Sequence, residues 1–155
     1  MPYLKAGDII SGQEGWIRFT VNGNVEEGSY VKDFEAVLEK EKREIRTLGH
    51  RGTQHKTVGW TGTGSMNMYY ITSLFRKMAL EYAKNGRDLY FDIVVENDDP
   101  TSTIGRQVVA FYDCNMDSAV LSRLDVNNAE LDEDADFTFG DFDILENFKL
   151  PVLGV

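Results

Sequence analysis

Apolar and polar residues alternate along most of this chain, the period-two signature of strands with one buried face. Ile17, Phe19 and Val21 alternate with polar residues up to Asn22-Gly23. Asn-Gly between two alternating runs predicts a tight hairpin, because both central turn residues need positive φ; the return strand is expected from about Val25 to Lys32. From Trp60 to Tyr70 the alternation is strict. Trp60, Gly62, Gly64, Met66, Met68 and Tyr70 fall on one face, and Thr61, Thr63, Ser65, Asn67 and Tyr69 on the other. Two glycines on the apolar face of a strand call for something large packed closely over them. Leu89, Phe91, Ile93 and Val95 share a face, Asn97–Thr101 is a turn cluster, and Ile104–Tyr112 and Ser118–Val126 read as two further strands. Phe137 and Phe139 lie on one face while Phe142 and Ile144 are offset by one residue; a bulge at Gly140-Asp141 would restore the face.

Only Thr72–Gly86 has a clear helical period. Leu74, Phe75, Met78, Ala79 and Tyr82 form its apolar stripe, Thr72 or Ser73 can cap its start, and Asn85-Gly86 supplies a left-handed stop. Phe34–Ile45 leaves two readings open, a surface helix or an exposed hairpin arm, because its apolar positions fit both periods. The pattern predicts a mainly β (α+β) fold of about eight strands, with one helix at about residues 72–85 packed on a sheet. One domain over 1–155 is expected, with an arm around 40–58 and a flexible C-terminal tail at 147–155.

Composition narrows the function more than the fold. One cysteine, Cys114, excludes an intrachain disulfide framework and points to a reducing compartment. No run has the length of a signal peptide or membrane span, so a soluble protein without a membrane anchor is expected. Net charge is −10, unevenly placed. Lys40–Trp60 holds six bases and two acids, net +4, whereas Asp125–Glu146 holds nine acids and no base. Two solvated surface regions are one reading of this. The other is that the basic segment of one copy meets the acidic end of the next, the head-to-tail geometry that builds rings and filaments.

Candidate chemistry is sparse. The glycines of Gly49–Gly64 run through a predicted strand and no Lys-Ser/Thr follows, which excludes a phosphate loop. His50 and His55 are the only histidines, too few for zinc when Cys114 lies far along the chain. Asp132, Asp134 and Asp136 have the first spacings of a calcium loop, but Phe137 stands where the turn needs glycine, so a solvated acidic loop is expected. There is no Gly-x-Ser-x-Gly elbow, and an acidic chain yields carboxylate pairs by chance. No enzyme, cofactor or metal is expected. Nucleic-acid recognition would rest on the basic segment and Trp60, against −14 on the remaining residues (−10 less +4).

The stretch LGHRGTQHKTVGWTGTGSMNMYYITSLFRKMALEY (Leu48–Tyr82) resembles the tail tube proteins of contractile phage tails, of the type found in PBSX-like prophages. Val95–Ser118 and Leu131–Phe148 continue the resemblance, as does LKAGDIISGQEGWIRFTVNGNVEE near the start. It implies a β-sandwich or barrel with one flanking helix, and copies forming stacked, hexameric rings around a hollow bore. It also implies sheath, tape-measure and tail-terminator or baseplate proteins as partners, DNA passing without specific binding, and a place in a virion tail assembled in the host bacterial cytoplasm. On this reading the inter-subunit residues are Lys42, Arg43, Arg46, Arg51, His55 and Lys56 against Asp132, Glu133 and Asp134. The alternative is a small β-sandwich binding module that recognises an acidic or carbohydrate ligand through Trp16, Trp60 and the basic loop.

Overall fold

In the computed structural model, which describes residues 1–155, eight strands and one α-helix follow a short 3-10 turn at Ala6–Asp8. The strands are β1 (Gly15–Val21), β2 (Asn24–Glu27), β3 (Val31–Ile45), β4 (Gln54–Tyr69), β5 (Phe91–Asp98), β6 (Arg106–Met116), β7 (Asp132–Phe139) and β8 (Asp141–Glu146); the helix α1 is Leu74–Asn85. One hydrogen-bonded path runs β2-β1-β5-β6-β7-β4-β3, and β8 pairs β6 beside it. All named pairings are antiparallel.

The path turns a corner at β6. Residues 106–114 of this strand pair with β5, and its last two residues, Asn115 and Met116, pair with β7. Just before this switch, between Phe111 and Cys114, Asp113 adopts φ 55° and an extra residue interrupts the register with β5. A bulge of this kind bends a strand from one sheet into another. The opposite chain turns at the same level: Gly140 separates β7 from β8 and donates its N–H to the Tyr112 carbonyl at 3.1 Å. The one-residue offset between Phe137/Phe139 and Phe142/Ile144 is therefore a change of sheet at Gly140 rather than a bulge within one strand.

The two layers, β2-β1-β5-β6-β8 and β3-β4-β7, enclose a core rich in aromatic rings. Phe34 on β3 stacks on Phe137 and tilts against Phe111 of the other layer, with centroids 5.6 and 5.8 Å apart. Phe19 meets Phe75 of α1 edge-on at 5.7 Å. On β4, Gly62 lies opposite Phe139 and Gly64 opposite Phe137. A Cβ on Gly62 would sit 2.4 Å from the Phe139 ring, and one on Gly64 2.3 Å from the Phe137 ring, so both rings lie directly on bare backbone.

Several expectations fail for local reasons. The Asn22-Gly23 turn forms, with φ 51° and 80°, but β2 ends at Glu27. Gly28 is buried there, and a Cβ would strike the Ile17 side chain, so the chain crosses to the second layer instead of extending the hairpin. Phe34–Ile45 is a strand, which settles the open choice. Ser118–Val126 is not: it runs outside the sheet with Leu121, Leu124 and Val126 exposed, and Asp125 caps the turn at its end by accepting the Asn127 N–H at 3.0 Å. In α1, Phe75 and Met78 are buried, but Tyr82 is 60% exposed because the helix packs only through its first two turns.

The bare-backbone contact is testable. Gly64→Ala should cost roughly 1–3 kcal/mol, the usual range for overpacking a filled site. Phe137→Leu in the same chain should return part of the loss in urea unfolding, and unaltered stability of the single variant would refute the contact.

Candidate assembly surface

β3 and β4 are paired over nearly their whole length, from Val31↔Met68 to Ile45↔Gln54. β7 supports β4 only from Gly62 to Tyr69. Beyond Leu38↔Gly62 the two strands therefore continue as an unsupported ribbon joined through residues 46–53. An isolated two-stranded ribbon is marginal in water. This one is further strained by Arg43 lying directly opposite Lys56, since like charges across a pair are unfavourable. Val58 is the extra residue of a bulge at Glu41/Lys42, which twists the ribbon further. Lys42, Arg43, Arg46, Arg51, His55 and Lys56 are all exposed on this arm or its tip.

The acidic residues lie elsewhere. Asp132, Glu133 and Asp134 begin β7, and Asp132 pairs in register with Tyr69 at the far end of β4. Lys56 and Tyr69 are 13 residues apart, which at the ordinary strand rise puts the two charge poles on the order of 40 Å apart. The structure does not bring the basic and acidic sets together within one chain.

The three acids also differ from one another. Glu133 is buried, and its carboxylate accepts from Arg76 at 2.7 Å. Arg76 lies over the Tyr70 ring, donates to the Val120 carbonyl at 3.3 Å and also to the Thr72 carbonyl, so it joins the start of α1 to β7 and to the loop after β6. Asp132 accepts from Lys32 at 3.2 Å; that ammonium holds the carboxyl below its usual range, and the carboxylate raises the Lys32 amine. Asp134 accepts from the Asn67 side chain at 2.6 Å. Asp132, Asp134 and Asp136 belong to a strand and not to a solvated loop.

Register places a further surface that the linear sequence did not disclose. Asp33 and Glu35 of β3, and Asp134 and Asp136 of β7, share the outer face of the second layer, with Asn67 and Ser65 of β4 between them. Glu39 and Glu41 extend this face along β3 beside Thr61 and Gly59. Two-residue spacing in β3 and β7 was the signal for it, legible only once β4 was known to lie between them.

Trp16 and Trp60 have separate surroundings. Arg18 covers Trp16 at 4.1 Å, while Trp60 packs on Phe139 and Phe142 at 6.1 and 5.8 Å. His50 contacts the Gly52 carbonyl at 3.0 Å within its own loop. Cys114 is buried, and burial pushes its thiol up to about 12. No helix is long and apolar enough to cross a membrane.

A family model described as phage tail tube protein matches residues 2–146. The phage-like element PBSX protein XkdM of Bacillus subtilis (strain 168) is 44% identical over 146 residues, covering 94% of this chain and 97% of XkdM. In fold, the chain is similar to one in the six-fold symmetrised baseplate of the anti-feeding prophage, with a TM-score of 0.65, 10% identity, and coverage of 88% of this chain and 95% of the other. A chain of the sheath–tube complex of an extracellular contractile injection system in its extended state gives 0.64 at 10% identity, covering 88% and 90%.

Glu133 provides the check on this surface. Arg76→Leu would leave it buried without its partner, and breaking such a pair costs about 3–5 kcal/mol. Denaturant unfolding should show that loss, with most of it restored in the Arg76→Leu, Glu133→Leu double variant.

Proposed function

This chain belongs to the phage tail tube protein family, and from that premise we propose that it is the structural subunit of a hollow tail tube, with copies closing into rings, six to a ring, that stack to form a conduit for DNA. The observation that carries this reading is the placement of charge. A basic arm tip and an acidic strand start lie at opposite ends of β4, too far apart to satisfy each other within one subunit. A contact between them joins different copies and repeats from copy to copy, as a heterologous interface does. Lys42, Arg43, Arg46, Arg51, His55 and Lys56 form the basic side of this contact, with Asp132, Asp134 and neighbouring carboxylates on the acidic side. Glu133 supports the acidic side from within.

The acidic outer face of the second layer suits the wall of the bore. Fixed cations would grip a polyanion at each phosphate, whereas Glu35 and Asp136, which share that face and are not part of the subunit contact, repel it and let it slide. Sheath, tape-measure and terminator or baseplate proteins are the partners this role requires, and the host bacterial cytoplasm is the place of assembly. No catalytic step is part of the role.

Negative-stain microscopy of the purified protein at rising concentration should show rings or tubes, and a strict monomer at every concentration would count against the proposal. Exposed pairs are worth only ~0–1 kcal/mol each, so assembly should weaken with salt and more clearly in the Arg46→Glu, Arg51→Glu variant, where several pairs are lost together. In a mobility-shift assay at physiological salt the protein should leave duplex DNA free. Tight binding abolished by neutralising Lys42, Arg43, Arg46 and Arg51 would instead indicate nucleic-acid recognition.

A further inference from the structure

The two layers do not close along their whole length. At the deep end Phe111 meets Phe139 edge-on at 5.0 Å. Toward the arm the layers part, leaving an open cleft of about 800 Å³ between β3 on one side and β1, β5, β6 and β8 on the other. Its walls are apolar and only partly covered: Phe34, Val109 and Phe142 are half-buried, while Leu38 and Ile144 remain 38% and 47% exposed. Glu14 and Asp33 border it against a single lining cation, Lys32, which is already engaged by Asp132; Glu27 also borders it but is paired with Arg18 at 2.8 Å. Glu96 also borders it but is buried and held by Arg106 at 2.7 Å.

The arm tip has the complementary character. Leu48 is fully exposed, touching nothing in its own subunit, and sits between Arg46 and Arg51 in the loop joining β3 to β4. Ile45 and Val58 are also exposed on the ribbon, but Leu48 alone projects fully from its tip, where it has no folding role. Nor does the tip reach the cleft of its own chain. β3 lines that cleft up to Leu38 and then leads away, and Ile45 stands seven residues farther on, about 23 Å at the strand rise.

We propose that the cleft between the two layers receives the arm tip of a second copy of this chain, with Leu48 seated among Phe34, Leu38, Val109 and Ile144. Arg46 and Arg51 then face Glu14 and Asp33 at the rim. The contact is apolar at its centre and charged at its edge, the arrangement common to specific protein interfaces. It rests on the reading that the chain assembles with itself, and it reassigns the arm tip, Arg46 and Arg51, from the Asp132–Asp134 strand start to the cleft rim, leaving Lys42, Arg43, His55 and Lys56 to the strand start.

Leu48→Asp is the direct test, because the residue makes no contact within the subunit. The variant should fold with unchanged thermal stability yet need about tenfold or more the wild-type concentration to assemble, as loss of one buried leucine implies. Arg46→Glu, Arg51→Glu should be rescued in part by adding Glu14→Lys. Mixed Leu48→Cys and Ile144→Cys chains should form a disulfide in the assembled state; the buried, unreactive Cys114 can stay. If the wild type assembles but Leu48→Asp assembles equally well and no such disulfide forms, the cleft proposal is overturned while self-assembly stands. Cross-linking of Ile144→Cys to Val152→Cys instead would also overturn it, by assigning the cleft to a neighbour's C-terminal segment. A wild type that stays monomeric overturns both.

Discussion

Two phenylalanine rings lying on two glycines hold this molecule in its arrangement. Phe137 and Phe139 reach across β4 at Gly64 and Gly62, and no other residue type on β4 would let them lie so close. The same rings then form the floor of the core, where Phe34 and Phe111 meet them from the other strands. Register follows from this contact. A slip of one residue would put Thr63 under a ring and turn Met66 and Met68 out of the core, so the fit fixes which carboxylates share the outer face. Core packing and surface charge thus have a common origin in the pairing of β4 with β7.

From that pairing the chain builds outward in two directions. At one end the corner formed by Asp113 and Gly140 links β7 to β6 and β8 of the first layer and joins the two halves of the sandwich. At the other, β3 and β4 run past the last support of β7 and become an arm. The arm's sequence has little to bury and carries facing like charges, which are tolerable on a ribbon that finds its counter-charges elsewhere. The sandwich stabilises the root of the arm, and a second molecule is suited to stabilise its tip.

Much of this was legible in the sequence because the underlying signals are local. Strict alternation marked β4, Asn22-Gly23 marked the first hairpin, and Gly86 marked the end of α1, where it adopts φ 67°. Phe34–Ile45 could not be assigned alone, since its polar half fits any exposed element; β4 alongside decides it. Ser118–Val126 misled because alternation reports a pattern and not whether the segment packs on the core, and Leu121, Leu124 and Val126 stay exposed. The charge asymmetry was plain from composition. That Glu133 turns inward to Arg76, and that Asp33 and Glu35 share a face with Asp134 and Asp136, depends on residues about 57 and 100 positions apart. No local pattern encodes such separations.

Charge poles at the two ends of one strand also make each subunit a strong electric dipole. If subunits stack head to tail, these dipoles point the same way and do not cancel as they would in a two-fold dimer. The resulting tube would be polar, with one mouth fringed by unpaired basic arms and the other by unpaired carboxylates. Its two ends would then be chemically unlike, so a protein that starts the tube and one that stops it need surfaces of opposite charge. Growth would have a built-in direction without any difference between the subunits themselves.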